Sequence, residues 1–228
     1  GSYTNRGVIY LYNDRVEDAL EDFNTAIEID PLDQMAYFNR AVAYQDYLNE
    51  PELAMEDLDA ALEINPHDFA SHYRRGEILL EYTGDYPGAV EEFDAAIEIE
   101  PDFDITYVDR ARALMALGEH DRALEDLDAA IEINPENARA YLIRSSLYGS
   151  LDNYEQGLAD AERAVDLAPE ESMCYYSRAY LLFMNGRKTT TCRLSNSKKR
   201  KSLICMKAFR PWPSVSRTIC RQFSARID

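Results

Sequence analysis

A six-residue phrase returns five times along this chain, and its period constrains the fold more than any local propensity does. It reads Ala26-Ile27-Glu28-Ile29-Asp30-Pro31, then recurs over residues 61–66, 96–101 and 130–135, and last as Ala164-Val165-Asp166-Leu167-Ala168-Pro169. The closing prolines lie 35, 35, 34 and 34 residues apart. Within each unit apolar residues fall at helical spacing in two blocks, as in Tyr107, Ala111, Leu114 and then Ala123, Leu127, Ala130, Ile131, with a turn at Gly118 between them. That pattern predicts helix, turn, helix. Each Pro stops the second helix, and Asp33, Asp68 and Asn137 stand where the following helix needs an N-cap. Eleven helices are expected, paired except for the last. The two longer spacings place one extra residue at the turns near Asn49-Glu50-Pro51 and Gly84-Asp85-Tyr86-Pro87, where insertion costs little.

Charge divides the chain in two. Its 42 acids against 24 Lys and Arg give -18 overall, but residues 1–186 hold 41 acids, 12 Arg and no Lys, whereas residues 187–228 hold 12 Lys and Arg and one acid. The long first part is therefore an acidic repeat array, a poor match to a phosphate backbone, which needs a surplus of cations. With 46% hydrophobic residues the chain can bury a sizeable core. No run approaches the ~20 apolar residues of a membrane span, so no membrane partner is expected. The chain begins Gly1-Ser2 without Met, as a trimmed protein or a fragment that has lost a targeting segment would; nothing at this N-terminus resembles a signal sequence, and a cytoplasmic location is expected.

The units resemble the tetratricopeptide repeat family over residues 1–186, as five complete units and the first helix of a sixth. With each closing Pro counted as position 32, the aromatic of position 4 is Tyr3, Tyr37, Tyr107, Tyr141 and Tyr175, with His72 in the third unit. The small residue of position 8 is Gly7, Ala41, Gly76, Ala111, Ser145 and Ala179; position 20 is Ala19, Ala54, Ala89, Ala123 and Gly157. The resemblance implies an all-α fold, a tetratricopeptide-repeat α-solenoid in which antiparallel helix pairs wind into a right-handed superhelix. Small residues at 8 and 20 let paired helices approach.

Position 7, usually Leu in that family, is Arg in all six units: Arg6, Arg40, Arg75, Arg110, Arg144 and Arg178. Position 23 is always acidic, as Asp22, Asp57, Glu92, Asp126 and Asp160, so Arg-to-carboxylate pairs between the two helices of a unit are expected. The acids two residues further on, Asp59, Asp94 and Asp128, read as a solvated outer face, because ligands scattered one per repeat cannot converge on one ion. Catalysis has no support. His67, His72 and His120 lack a Cys, Ser or metal-ligand partner at a recognisable spacing, and Cys174, Cys192, Cys205 and Cys220 form no C-x-x-C pair. No cofactor, metal or small-molecule substrate is indicated. Half of the sixteen Tyr recur at positions 4 and 11 and read as core rather than as stacking platforms for bases.

The family binds ligands in a concave groove lined by first helices. Its central positions here are Phe38, Asn39 and Val42, then Tyr73, Arg74 and Glu77, then Val108, Asp109 and Arg112, then Leu142, Ile143 and Ser146, and finally Tyr176 and Tyr180. That mixture suits a protein partner, presented as an extended peptide or a helix, with aromatic anchors supplying affinity and polar groups fixing register. The carboxylate clamp of chaperone-binding relatives is absent: Asn39 and Arg74 match it, but Thr4, Val8 and Ala70 replace its two Lys and one Asn. The function expected is a non-catalytic interaction scaffold; the alternative is the regulatory or substrate-docking portion of a larger enzyme or signalling protein.

After Asn185-Gly186 the repeat stops and the chain reads Arg187-Lys188-Thr189-Thr190-Thr191-Cys192. Residues 187–228 are expected to form a poorly ordered tail, with Leu203-Ile204-Cys205-Met206 and Phe209 covering the face near Leu181 and Leu182 as a short helix. Two origins fit. Out-of-frame reading of further acidic repeats turns codons beginning GA into codons beginning with A, which enriches Lys, Arg, Ser and Thr; alternatively, Lys198-Lys199-Arg200-Lys201 marks a basic arm for nucleic acid or nuclear targeting.

Overall fold

The computed structural model describes residues 1–196, and among these it contains eleven α-helices and no strand. The chain divides into the units Gly1–Arg187 and Lys188–Asp228. The first is a stack of helical hairpins: α1 (Ser2–Leu11) with α2 (Val16–Ile29), α3 (Gln34–Val42) with α4 (Pro51–Ile64), α5 (Phe69–Ile78) with α6 (Tyr86–Ile99), α7 (Asp104–Leu117) with α8 (His120–Ile133), and α9 (Ala138–Ser150) with α10 (Tyr154–Leu167). Helix α11, Ser172–Asn196, is the first helix of a sixth unit. It runs straight through Gly186, with no Gly or Pro between Arg187 and Asn196 to stop it. The expected helix at Leu203–Met206 lies outside the described residues.

Local signals act as their chemistry dictates. The side chains of Asp33, Asp68 and Asn137 accept hydrogen bonds from the backbone N–H groups of Ala36, Ser71 and Ala140, at 3.2, 2.9 and 2.9 Å. Asp30, Asn65, Glu100 and Asn134, each preceding a closing Pro, leave the helical region with φ between -128 and -135°. One left-handed residue makes the turn inside every unit: Asp14, Asn49, Gly84, Gly118 and Asp152. The extra residues of the second and third units sit elsewhere than expected. They are absorbed just before the turn, where α3 and α5 continue as π-helical segments, Ala43–Leu48 and Leu79–Thr83, so the turn keeps its form.

Helices of a hairpin pack together, each second helix packs on the next first helix, and first helices also touch one another (α1 on α3, α7 on α9), which puts them on one face. Between the paired helices the residues at positions 8 and 24 are matched in size. In the first and third units Gly7 and Gly76 face Phe23 and Phe93; a Cβ at either glycine would lie 2.5 or 2.6 Å from the ring. In the second and fourth units, Ala41 shares a core with Leu58, and Ala111 with Leu127. A larger shelf takes a smaller side chain.

The position-7 arginines form the expected ladder, and it reaches further than expected. Arg6, Arg40, Arg110 and Arg144 each grip the acid of their own unit with two parallel bonds from Nε and Nη2: Asp22 (2.7 and 2.7 Å), Asp57 (2.8 and 2.6 Å), Asp126 (2.9 and 2.6 Å) and Asp160 (2.8 and 2.8 Å). The remaining Nη1 of Arg40, Arg110 and Arg144 then crosses to the preceding unit, to Asn24, Asp94 and Asp128, each at 2.5 Å. Asp59, Asp94 and Asp128 are therefore not merely a solvated face: Arg75 reaches Asp59 at 3.3 Å, and the other two hold Arg110 and Arg144. Each Tyr of position 4 lies under its arginine, 5.2 to 5.7 Å from ring centroid to guanidinium carbon. The third unit is built differently. His72 replaces the Tyr and meets Glu92 at 2.8 Å through Nδ1, and this longer acid also takes Arg75, more loosely, at 3.5 Å.

The shelf rule has a direct consequence. Gly7→Ala should destabilise the array by about 1–3 kcal/mol through overpacking against the Phe23 ring. Adding Phe23→Leu, which recreates the Ala41–Leu58 pairing, should restore most of the loss. Urea unfolding of the single and double variants measures both.

Candidate functional site

The face made by the first helices carries its charges in the middle. Tyr73, Arg74 and Glu77 on α5 and Asp109 and Arg112 on α7 meet in one hydrogen-bonded network. Asp109 is 1% exposed, and a buried carboxylate must be satisfied. Three donors do so: the Tyr73 hydroxyl at 2.9 Å, Arg112 at 3.0 Å and Arg139 of α9 at 2.7 Å. Arg74 donates to Asp46 at 3.0 and 3.1 Å and to Glu77 at 3.3 Å, while Arg112 also reaches Glu81 at 2.9 Å. The Tyr73 ring is fixed from several sides, by Phe69, Phe93 and Phe103, at 5.9 to 6.0 Å between centroids.

Burial sets the protonation behaviour. Burial first, then the Asp109 charge, pushes the Tyr73 hydroxyl well above its ordinary range, so it stays a neutral donor. Burial also raises the Glu77 carboxyl, with Asp109 adding to the rise and Arg74 opposing it.

The other sequence-predicted positions divide. Phe38, Asn39 and Val42 lie half-buried on α3, with the Asn39 amide donating to the Met35 carbonyl at 2.6 Å. Leu142 and Ile143 lie half-buried on α9 and Ser146 is exposed. Tyr176 and Tyr180 on α11 are 56% and 52% exposed. Val108 does not belong to the accessible face: it is fully buried in the core with Phe93 and Leu114. Arg74 and Arg112 are not free cations, since each already holds two carboxylates. Sequence reasoning passed over Asp46, Glu81 and Arg139, although they stand at the outer groove positions 13 and 2; the signal was the sign reversal between successive first helices.

Stacked helix pairs of one period, tied by a repeated arginine and presenting their first helices on one face, define an α-helical repeat protein. The chain belongs to the tetratricopeptide repeat family, whose sequence patterns match residues 2–32, 44–102, 82–147 and 138–171. Its fold is shared by MamA of Desulfovibrio magneticus RS-1 (18% identity, TM-score 0.68, covering 75% of this chain and 95% of that one). It is also shared by YrrB, described as a TPR protein with an unusual peptide-binding site (21% identity, TM-score 0.67, 78% and 90%). PilW, described as a type IV pilus biogenesis factor, is similar as well (16% identity, TM-score 0.66, 86% and 94%). No curated protein sequence matches the chain. Among the described residues, no helix is long and apolar enough to cross a membrane, and no group of three or more His, Cys, Asp and Glu could hold a metal ion.

The raised Glu77 carboxyl makes a pH prediction. An acid whose pKa is higher in the folded state costs stability once pH exceeds the ordinary Glu range, near about 4.3, because the fold then holds a charge it disfavours. Glu77→Gln should therefore stabilise the array at neutral pH, with the gain vanishing at and below about pH 4. Thermal unfolding of both proteins across that range checks the sign.

Proposed function

We propose that this chain is a non-catalytic, cytoplasmic interaction scaffold whose first-helix groove binds a peptide or a helix of a partner protein. One observation carries this reading: a charged centre whose arginines are all paired internally is flanked by apolar and aromatic side chains, Phe38 and Val42 on one side and Leu142, Ile143, Tyr176 and Tyr180 on the other. Exposed aromatics beside fixed polar groups are what a segment with apolar anchors requires. The likeness to YrrB, itself described as peptide-binding, supports the same use of the fold.

The ligand's charge follows from the array. Arg74 and Arg112 are committed to acids within the groove, and residues 1–186 carry 41 acids against 12 Arg, so basic or neutral segments are favoured over acidic ones. Synthetic peptides bearing Leu or Phe anchors and differing in charge test this. Basic members should bind, and bind less tightly as salt is raised. Tyr176→Ala with Tyr180→Ala should weaken them by about tenfold or more. Tight, salt-insensitive binding of a strongly acidic peptide would contradict the proposal.

A further inference from the structure

Helix α11 is docked as the first helix of a sixth unit. Cys174 and Leu181 are buried, and the Ser177 hydroxyl meets that of Ser145 at 2.8 Å. Its opposite face differs from that of every earlier first helix. Position 8 is buried in all five complete units, at Gly7, Ala41, Gly76, Ala111 and Ser145, whereas Ala179 is exposed. Leu182, at position 11, is 52% exposed, while its equivalents Tyr10, Tyr44, Leu79, Leu114 and Tyr148 are half-buried or buried. Arg178 lies over Tyr175 at 5.2 Å in the pose of the other ladder arginines, yet among the described residues it has no carboxylate partner.

The sequence that follows Arg178 does not carry the acid that pairs with the arginine in the other units. In the five earlier units the acid follows its arginine by 16 or 17 residues, as in Arg6–Asp22 and Arg40–Asp57. After Arg178 the next acid is Asp228. Gly186 falls at the register of the left-handed turn residue, 34 positions after Asp152, but it is helical and α11 passes through it. The surface is thus shaped and charged for a second helix that must carry its own carboxylate.

We propose that the Arg178–Ala179–Leu182 face of α11 docks one amphipathic helix of another protein, bearing a small residue, an acid three positions later, and Leu directly after the acid. The five internal hairpins supply the rule. Position 20 is always Ala or Gly, position 23 always Asp or Glu, and where position 8 is Ala the residue at 24 is Leu, as in Ala41 with Leu58 and Ala111 with Leu127. Ala179 therefore takes Leu, and Arg178 takes the acid with the two parallel bonds seen at Asp126. This site is independent of the groove reading: positions 7, 8 and 11 receive a helix, whereas Tyr176 and Tyr180 belong to the groove.

The chain's own α8 is the natural probe, because it contains Ala123, Asp126 and Leu127 in that spacing. A fluorescent synthetic peptide of residues 120–134 is titrated into the full chain. Saturable binding with one peptide per chain is expected. Arg178→Ala in the chain, or Asp126→Ala in the peptide, should each weaken it about tenfold, and the two together little more than either alone. Ala179→Leu should also weaken it by filling the shelf, while Tyr176→Ala with Tyr180→Ala leaves it unchanged. Tyr176, Ala179 and Tyr180 are exposed and Arg178 is half-buried, so urea unfolding of each variant accompanies the titration and establishes that the array is intact before binding is compared. Absence of saturable binding, indifference to Arg178 and Asp126, or loss with the tyrosines instead overturns the proposal. So does self-association of the full chain through Arg178, since a second copy would then be the occupant.

Discussion

One guanidinium does two jobs in this array. At position 7 an arginine lies between the two helices of its hairpin and next to the hairpin before it, and its five donors in a fixed plane reach both. Nε and Nη2 lock the hairpin, and Nη1 spans the junction. The two contacts differ in environment. Within the fourth unit Arg110 and Asp126 are 18% and 8% exposed at the side chain, whereas Asp94 across the junction is 47% exposed. The buried bond penalises any wrong register, because a displaced helix would leave a desolvated charge unpaired; the exposed bond is screened and contributes less.

Much of this was legible in the sequence, because periodicity reports on what must be buried together. The hairpins, the N-caps at Asp33, Asp68 and Asn137, and the pairing of positions 7 and 23 all follow from residue type and spacing. What escaped depends on geometry that spacing does not encode. Asp59, Asp94 and Asp128 are solvent-exposed as read, but each also pairs with an arginine of the next unit, 16 residues on, as Asp94 does with Arg110, and only the rotation between hairpins brings the two together. The extra residues read as turn insertions, but each is taken up in a π-helical segment just before the turn, which keeps its left-handed residue, as at Asn49. Val108 read as groove-facing; the close approach of α7 to its neighbours buries it.

The groove shows the same limit. Arg74 and Arg112 read, one helix at a time, as polar groups that fix a ligand's register, and each is already paired with two carboxylates once α3, α5, α7 and α9 stand side by side. Asp109 is the centre of that change: a carboxylate 1% exposed draws a tyrosine and two arginines onto itself and fixes the middle of the face. The flanking aromatic positions stay open, with Tyr176 and Tyr180 56% and 52% exposed. The third unit, which supplies Tyr73, Arg74 and Glu77 to this network, has His72 and Glu92 in place of Tyr and Asp and holds its ladder arginine, Arg75, less tightly, at 3.5 Å.

The dual role of the arginine is tested most directly by double-mutant cycles at Arg110, with Asp126 and with Asp94 taken separately, in urea unfolding of the full chain. If the ladder sets the fold, Arg110→Ala and Asp126→Ala together should cost at least about 1 kcal/mol less than the sum of the single changes, and the Asp94 cycle should give a smaller coupling of the same sign. Additive costs in the Asp126 cycle would mean that the arginine neither locks its hairpin nor organises the array.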